Sequence, residues 1–223
     1  MRYKTRSIKG QARKDNHDCA GAVFDGVRGL FVIVDGTSKP GSGKLANSFV
    51  FEVIRRYQLR INLGADDTTH RAAEQLLTQV ILELHGPLFE KHTGTTSYLV
   101  GVASQGRLTI AYEGDCSCGV ASANGSIEWV TPPHCTANWK RDRTHRELAL
   151  NPARNRITRC YKVNQTPNPD FVFRSALAGE RLVFATDGFW ADLPDARQND
   201  ALQASSIDIN DIEDDVTWID VKL

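Results

Sequence analysis

The sequence has no excess of either charge. Its 27 Lys and Arg balance 27 Asp and Glu, so no global basic field favours a nucleic-acid partner. No run approaches the ~18 apolar residues that span a bilayer, which argues against a membrane protein. Cysteine is scarce and odd in number, five at uneven spacing. That pattern argues against a disulfide framework and for a reducing compartment. The opening Met1-Arg2-Tyr3-Lys4-Thr5-Arg6 is basic with no apolar stretch behind it. No secretory signal is expected, and the cytoplasm is the expected location. Neither an internal repeat nor a low-complexity segment divides the chain. Its 223 residues suffice for a sizeable core, and a single domain over residues 1–223 is expected.

What is present centres on two similar stretches. Leu30-Phe31-Val32-Ile33-Val34 runs into Asp35-Gly36, and Leu182-Val183-Phe184-Ala185-Thr186 runs into Asp187-Gly188. Short apolar runs bounded by turn residues read as buried strands. Each would deliver a carboxylate at its end, next to a glycine that lets the backbone bend and approach a ligand. Asp-Gly is also a common turn, and spacing alone does not prove that the two meet.

The remaining pattern supplies a frame. The first residues, to about Arg13, are polar and basic and could form a strand preceding a loop. Ala20 to Val23, a turn at Asp25-Gly26 and Leu30 to Val34 read as an antiparallel hairpin. Asp18 lies before one strand and Asp35 after the other, so the pairing can set them side by side. A helix is expected over Lys44 to Leu59, and another over His70 to Leu84. The second would be capped by Asp66, Asp67 or Thr68 and ended by His85-Gly86-Pro87. From Thr93 the period falls to two. Strands are expected at Ser97 to Ala103, Leu108 to Tyr112, Cys118 to Ala121, Ser126 to Val130, Ile157 to Tyr161, Phe171 to Ser175, Leu182 to Ala185 and Val216 to Val221. Pro132 to Arg154 has no period and reads as a surface excursion. Trp129, Trp139 and Trp218 read as packing residues. Strands, two helices, then mostly strands indicate an α+β fold with antiparallel sheet.

Four acidic spots fall at strand ends or turns: Asp18, Asp35, Asp187 and the pair Asp214-Asp215. Hard oxygen donors suit Mg²⁺ or Mn²⁺, and carboxylates crowded together repel unless a cation lies among them. Several motifs resemble, in order, those of the metal-dependent Ser/Thr protein phosphatases of type 2C. They are Gly10-Gln11-Ala12-Arg13 with Asn16-His17-Asp18, Phe31-Val32-Ile33-Val34-Asp35-Gly36, Gly94-Thr95-Thr96 and Tyr112-Glu113-Gly114-Asp115-Cys116. Then come Asn155-Arg156-Ile157-Thr158-Arg159, the stretch Gly179 to Trp190, and Asp214-Asp215-Val216-Thr217. No one of these is specific, but seven in order over nearly the whole chain are.

The resemblance implies a four-layer αββα sandwich, two antiparallel sheets flanked by helices, with a metal site at one end. It implies Asp18, Asp35, Asp187 and Asp214 as ligands of two Mn²⁺ or Mg²⁺ ions, with Gly36 adding its backbone carbonyl. It implies Arg13 as the catalytic and substrate-binding residue that holds the phosphate. The implied reaction is hydrolysis of phosphoserine or phosphothreonine in proteins by a metal-bridged water. The implied partners are a phosphorylated protein and, among such proteins, a Ser/Thr kinase, in signalling. Departures leave alternatives open. His17 stands at the usual Glu, where it either ligates Mn²⁺ through nitrogen or hydrogen-bonds a water. Ala191 replaces an Asp that would share a third ion with Asp115, so the resemblance leaves Asp115 either a ligand of such an ion or a turn cap. About 25 residues separate Gly188 from Asp214, room for one short helix over Gln198 to Ile212, so the C-terminal helical layer is expected to be shortened. A catalytically weakened binding or regulatory module on the same fold is the main alternative, and a phosphatase of small phosphorylated molecules a second.

Overall fold

The computed structural model describes residues 1–204 and 211–223. Two antiparallel sheets pack face to face. One has the order β1 (Arg2–Ile8), β11 (Val216–Lys222), β10 (Arg181–Ala185), β6 (Ser117–Ala121) and β7 (Ile127–Trp129). The other runs β2 (Cys19–Phe24), β3 (Arg28–Gly36), β4 (Thr95–Ser104), β5 (Arg107–Glu113) and β9 (Asp170–Ser175), with the short β8 (Tyr161–Lys162) paired to the start of β4. Helices α1 (Ser42–Asn62) and α2 (His70–Phe89) cover the second sheet. The first sheet is covered among the described residues by α4 (Asp187–Trp190) and α5 (Asp195–Gln203), following the small α3 (His145–Ala149). This is the expected α+β sandwich with a shortened C-terminal layer. Part of the Gln198 to Ile212 stretch lies outside the described residues.

Strand β3 shows why its apolar run is continuous rather than alternating. Leu30, Val32 and Val34 pack toward the helices, while Phe31 and Ile33 pack into the gap between the sheets. Both faces are covered, so neither can be polar. Side chains alternate along a strand, so Asp35 continues the face of Phe31 and Ile33 and opens onto the end of that gap. On β10, Leu182 and Phe184 line the same gap, and two-residue periodicity carries Thr186 to its end. The two strand termini therefore converge because the two sheets share one core.

Several local expectations are corrected. Helix α2 does not stop at His85-Gly86-Pro87 but runs through Pro87 to Phe89, because buried Leu84 and Leu88 keep that turn on the core. Its cap is Thr69, whose Oγ1 accepts from Ala72 N at 3.1 Å. Asp67 is instead buried against the Tyr57 hydroxyl. Ile157 makes only an isolated bridge to Cys135, leaving β8 as the short strand of that region. Trp139 is 75% exposed and is not a packing residue, whereas Trp218 is buried. No described helix is long and apolar enough to cross a membrane.

Phe184 ties the two sheets together. It is fully buried, stacks on Phe31 with ring centres 5.1 Å apart, and fills the space left by Gly101, where an added Cβ would come within 2.6 Å of its ring. Phe184→Ala is expected to cost about 3–5 kcal/mol in denaturant unfolding. A loss below about 1 kcal/mol would show that the sheets do not depend on this contact.

Candidate metal centre

The carboxylates meet at the end of the inter-sheet gap. The register Cys19↔Val34 sets Asp18, one residue before β2, opposite Asp35 near the end of β3. Gly36 N donates to His17 O at 3.1 Å, and a Cβ on Gly36 would lie 2.6 Å from that oxygen. Only glycine lets the two strand ends approach this closely. Asp187 opens α4 directly after β10. Asp115 lies in the turn between β5 and β6. That turn is held by Gly114 N donating to His134 Nδ1 at 3.0 Å and by Trp190 Nε1 donating to Asp115 O at 2.8 Å. Nδ1 accepts, so His134 carries its proton on Nε2 and donates it to Asp170 at 3.1 Å. Burial lowers the His134 pKa to about 4, which keeps the ring neutral.

Asp35, Asp115 and Asp187 each present an oxygen within 4.8 Å of the others. Asp18 and Asp214 border this group and repel it. Asp18 Oδ2 accepts from the Thr186 hydroxyl at 2.8 Å. Asp214 Oδ1 accepts from both Arg13 Nε and Arg13 Nη2 at 2.7 Å. Asp215 has a different role: its two oxygens take the N–H groups of Gly10 at 2.9 Å and His17 at 2.7 Å. It thus clasps the loop bearing Arg13 and Asp18 to the start of β11. His17 turns Nδ1 to Thr37 O at 3.1 Å and does not join the three-carboxylate group. Asp115 does join it, with Asp35 and Asp187 rather than with position 191. Ala191 only continues the α4 turn through its N–H to Asp187 O.

Two participants escaped the sequence reading. Arg154 Nη1 lies 2.8 Å from Asp187 Oδ2, and its Nη2 pairs with Asp192. Arg154 ends the aperiodic stretch Pro132 to Arg154, one residue before the Asn155-Arg156-Ile157-Thr158-Arg159 motif, and that adjacency is its sole sequence signal. Asp215 was visible only as half of a pair.

Burial, followed by repulsion from neighbouring carboxylates, pushes Asp18 and Asp35 well above the ordinary carboxylate range. The same causes raise Asp115 to about 7. Burial also raises Asp187, against the opposing pull of Arg154. The Asp115 Oδ1 atom is buried without a hydrogen-bond partner. Hard oxygen donors, raised proton affinity and an orphaned buried oxygen fit a divalent cation such as Mg²⁺ or Mn²⁺.

Neither a protein-family model nor a curated protein matches the sequence. Solved structures do. A PPM Ser-Thr phosphatase from Mycobacterium smegmatis, solved in complex with cacodylate, is 18% identical, with 100% of this chain and 98% of that one covered and a TM-score of 0.75. A serine/threonine phosphatase from Staphylococcus aureus is 19% identical, with 99% and 94% covered and a TM-score of 0.74. The catalytic domain of the phosphatase PstP, solved with two manganese ions, is 18% identical, with 98% and 96% covered and a TM-score of 0.68. The chain has the fold of the PPM Ser-Thr phosphatases over its full length.

Without a cation, the folded state holds the protons of these raised carboxylates more tightly than the unfolded chain does. Their contribution to stability is therefore lost as pH rises from the ordinary carboxylate range through about 7. A bound divalent ion must displace those protons and removes the penalty. The gain in Tm on adding Mn²⁺ is expected to be large near about pH 8 and to shrink toward zero near about pH 5. A gain that is the same at both pH values would contradict this assignment of the ligands.

Proposed function

We propose that the chain is a metal-dependent phosphatase acting on phosphoserine and phosphothreonine in proteins. The observation that carries this reading is the convergence of buried Asp115 with half-buried Asp35 and Asp187, bordered by Asp18 and Asp214, beside a two-pronged arginine. Asp18, Asp35, Asp187 and Asp214, with Asp115 and the backbone at Gly36, would hold two Mn²⁺ or Mg²⁺ ions. Such ions, when bound, acidify water and neutralise charge on a phosphoryl group.

The chain's own residues account for the rest. The Arg13 fork matches phosphate oxygens. Its partner Asp214 parks the guanidinium at the rim, where both side chains keep about a quarter to a third of their exposure (26% and 35%), so an arriving phosphate can take over those donors. The clasp of Asp215 holds the Arg13 loop in register with Asp18 and Asp35. No side chain stands as a nucleophile in this reading, so attack by water in a single displacement accounts for the reaction. A groove of about 1100 Å³ adjoins the site at Trp190 and Asp192 and is flanked by Arg141, Arg143 and Arg146. Acidic residues line it as well, Glu128, Asp142, Asp192 and Asp195, so its size rather than its charge favours a polypeptide over a small phosphorylated molecule. A phosphorylated protein in the cytoplasm, a Ser/Thr kinase included, is the partner this reading expects.

The test is hydrolysis of a phosphothreonine peptide with and without Mn²⁺. Turnover is expected to need the ion and to fall at least about 100-fold in Asp35→Asn and Asp187→Asn. A folded wild-type protein with no turnover under excess Mn²⁺ would sink the enzymatic reading and leave a binding module on this fold.

A further inference from the structure

Arg154 stands in a 3-10 turn, Pro152–Asn155, that has no buried residue of its own. The turn's internal bonds are few: Asn151 Oδ1 accepts from Ala153 N at 3.0 Å, Arg154 N donates to Asn151 O at 2.9 Å, and Arg156 N donates to Ala153 O at 3.3 Å. Ala153 packs against the buried Cys135, Ala137, Leu148 and Trp190 cluster, and the side chain of Arg154 reaches the carboxylates. It is 12% exposed, donates to Asp187 Oδ2 at 2.8 Å, pairs with Asp192, and lies with its guanidinium carbon 6.0 Å from the centre of the Trp190 ring. A fixed positive charge thus reaches the carboxylate group from a turn whose other anchors are Ala153, packed on that cluster, and Arg156 O, which accepts from Thr136 N at 2.9 Å and Thr136 Oγ1 at 3.1 Å. Asp187 serves two masters: its carboxylate joins Asp35 and Asp115 and also receives Arg154.

We propose that Arg154 is a positioning residue, a tethered cation that holds Asp187 and competes with a divalent ion for it, so that metal loading loosens the turn from the site. The proposal rests on the reading of this cluster as a divalent-ion centre. It differs from a plain structural ion pair in two respects. A structural pair at Asp192 alone would leave metal affinity unchanged, and it would leave the turn equally protected with and without metal. Charge explains the competition: a guanidinium hydrogen-bonded to a shielded carboxylate neutralises part of the charge that draws the ion in.

The experiment is calorimetric titration of Mn²⁺ into the metal-free full chain, as wild type, Arg154→Gln and Arg154→Lys. Alongside it, amide hydrogen exchange is followed over residues 152–156 of the wild type. Arg154→Gln is expected to bind Mn²⁺ about tenfold more tightly or better, with Arg154→Lys, which keeps the charge but not the fork, in between. Exchange over the turn is expected to quicken when Mn²⁺ is added. Equal or weaker binding by Arg154→Gln, or a turn equally or better protected with Mn²⁺, overturns the proposal. The exchange measurement needs no variant, so it decides even where a substitution impairs folding. Wild-type protein that takes up no Mn²⁺ overturns the divalent-ion reading and this proposal together. Wild-type uptake with no gain in Arg154→Gln overturns this proposal alone.

Discussion

Carboxylates held close together in a shielded place repel one another, and the end of this sandwich is built around that repulsion. Asp18, Asp35, Asp115 and Asp187 are all raised in proton affinity, by burial first and then by neighbouring carboxylates, Asp214 and Asp215 included. A fold selected for stability alone would not gather them. Such a cluster persists only where positive charge enters it, as protons, as arginine or as a metal ion. Here two arginines reach it, Arg13 through Asp214 and Arg154 through Asp187. Asp115 still keeps a buried oxygen without a partner.

The scaffold sets the cost of that arrangement against apolar packing nearby. Phe31, Phe184, Leu182 and Ile219 fill the gap between the sheets up to the point where the polar residues begin. Asp215 then fastens the loop of Arg13 to the last strand through two backbone N–H groups. Gly10 belongs to that clasp: an added Cβ there would lie 2.2 Å from Glu213 O. The precision of the site thus comes from strand ends and backbone contacts more than from the ligand side chains themselves.

The legible part of the sequence was the part governed by local rules. The β3 run was readable because both of its faces are covered, and the hairpin register that sets Asp18 beside Asp35 follows from the turn at Asp25-Gly26. Helices α1 and α2 were readable from their apolar stripes. What escaped depends on distant partners. The helix end at Pro87 was misjudged because Leu88 is held by the core, not by local preference. Helix α3 carries a capping box, Thr144 with Glu147, a signal present in the sequence but buried in a polar stretch. Arg154 could not be assigned, since its partner Asp187 lies 33 residues away. Seven weak motifs in order gave the architecture and named Asp115 as either a ligand or a turn cap, and its geometry beside Asp35 and Asp187 places it in the carboxylate group.

The central claim is that this carboxylate group is a divalent-ion centre. It is tested most directly by anomalous scattering from crystals of the chain grown with Mn²⁺. The account predicts strong peaks at the end of the inter-sheet gap, among Asp35, Asp115 and Asp187. An anomalous map without a peak there, from crystals in which the carboxylates are well ordered, would contradict it.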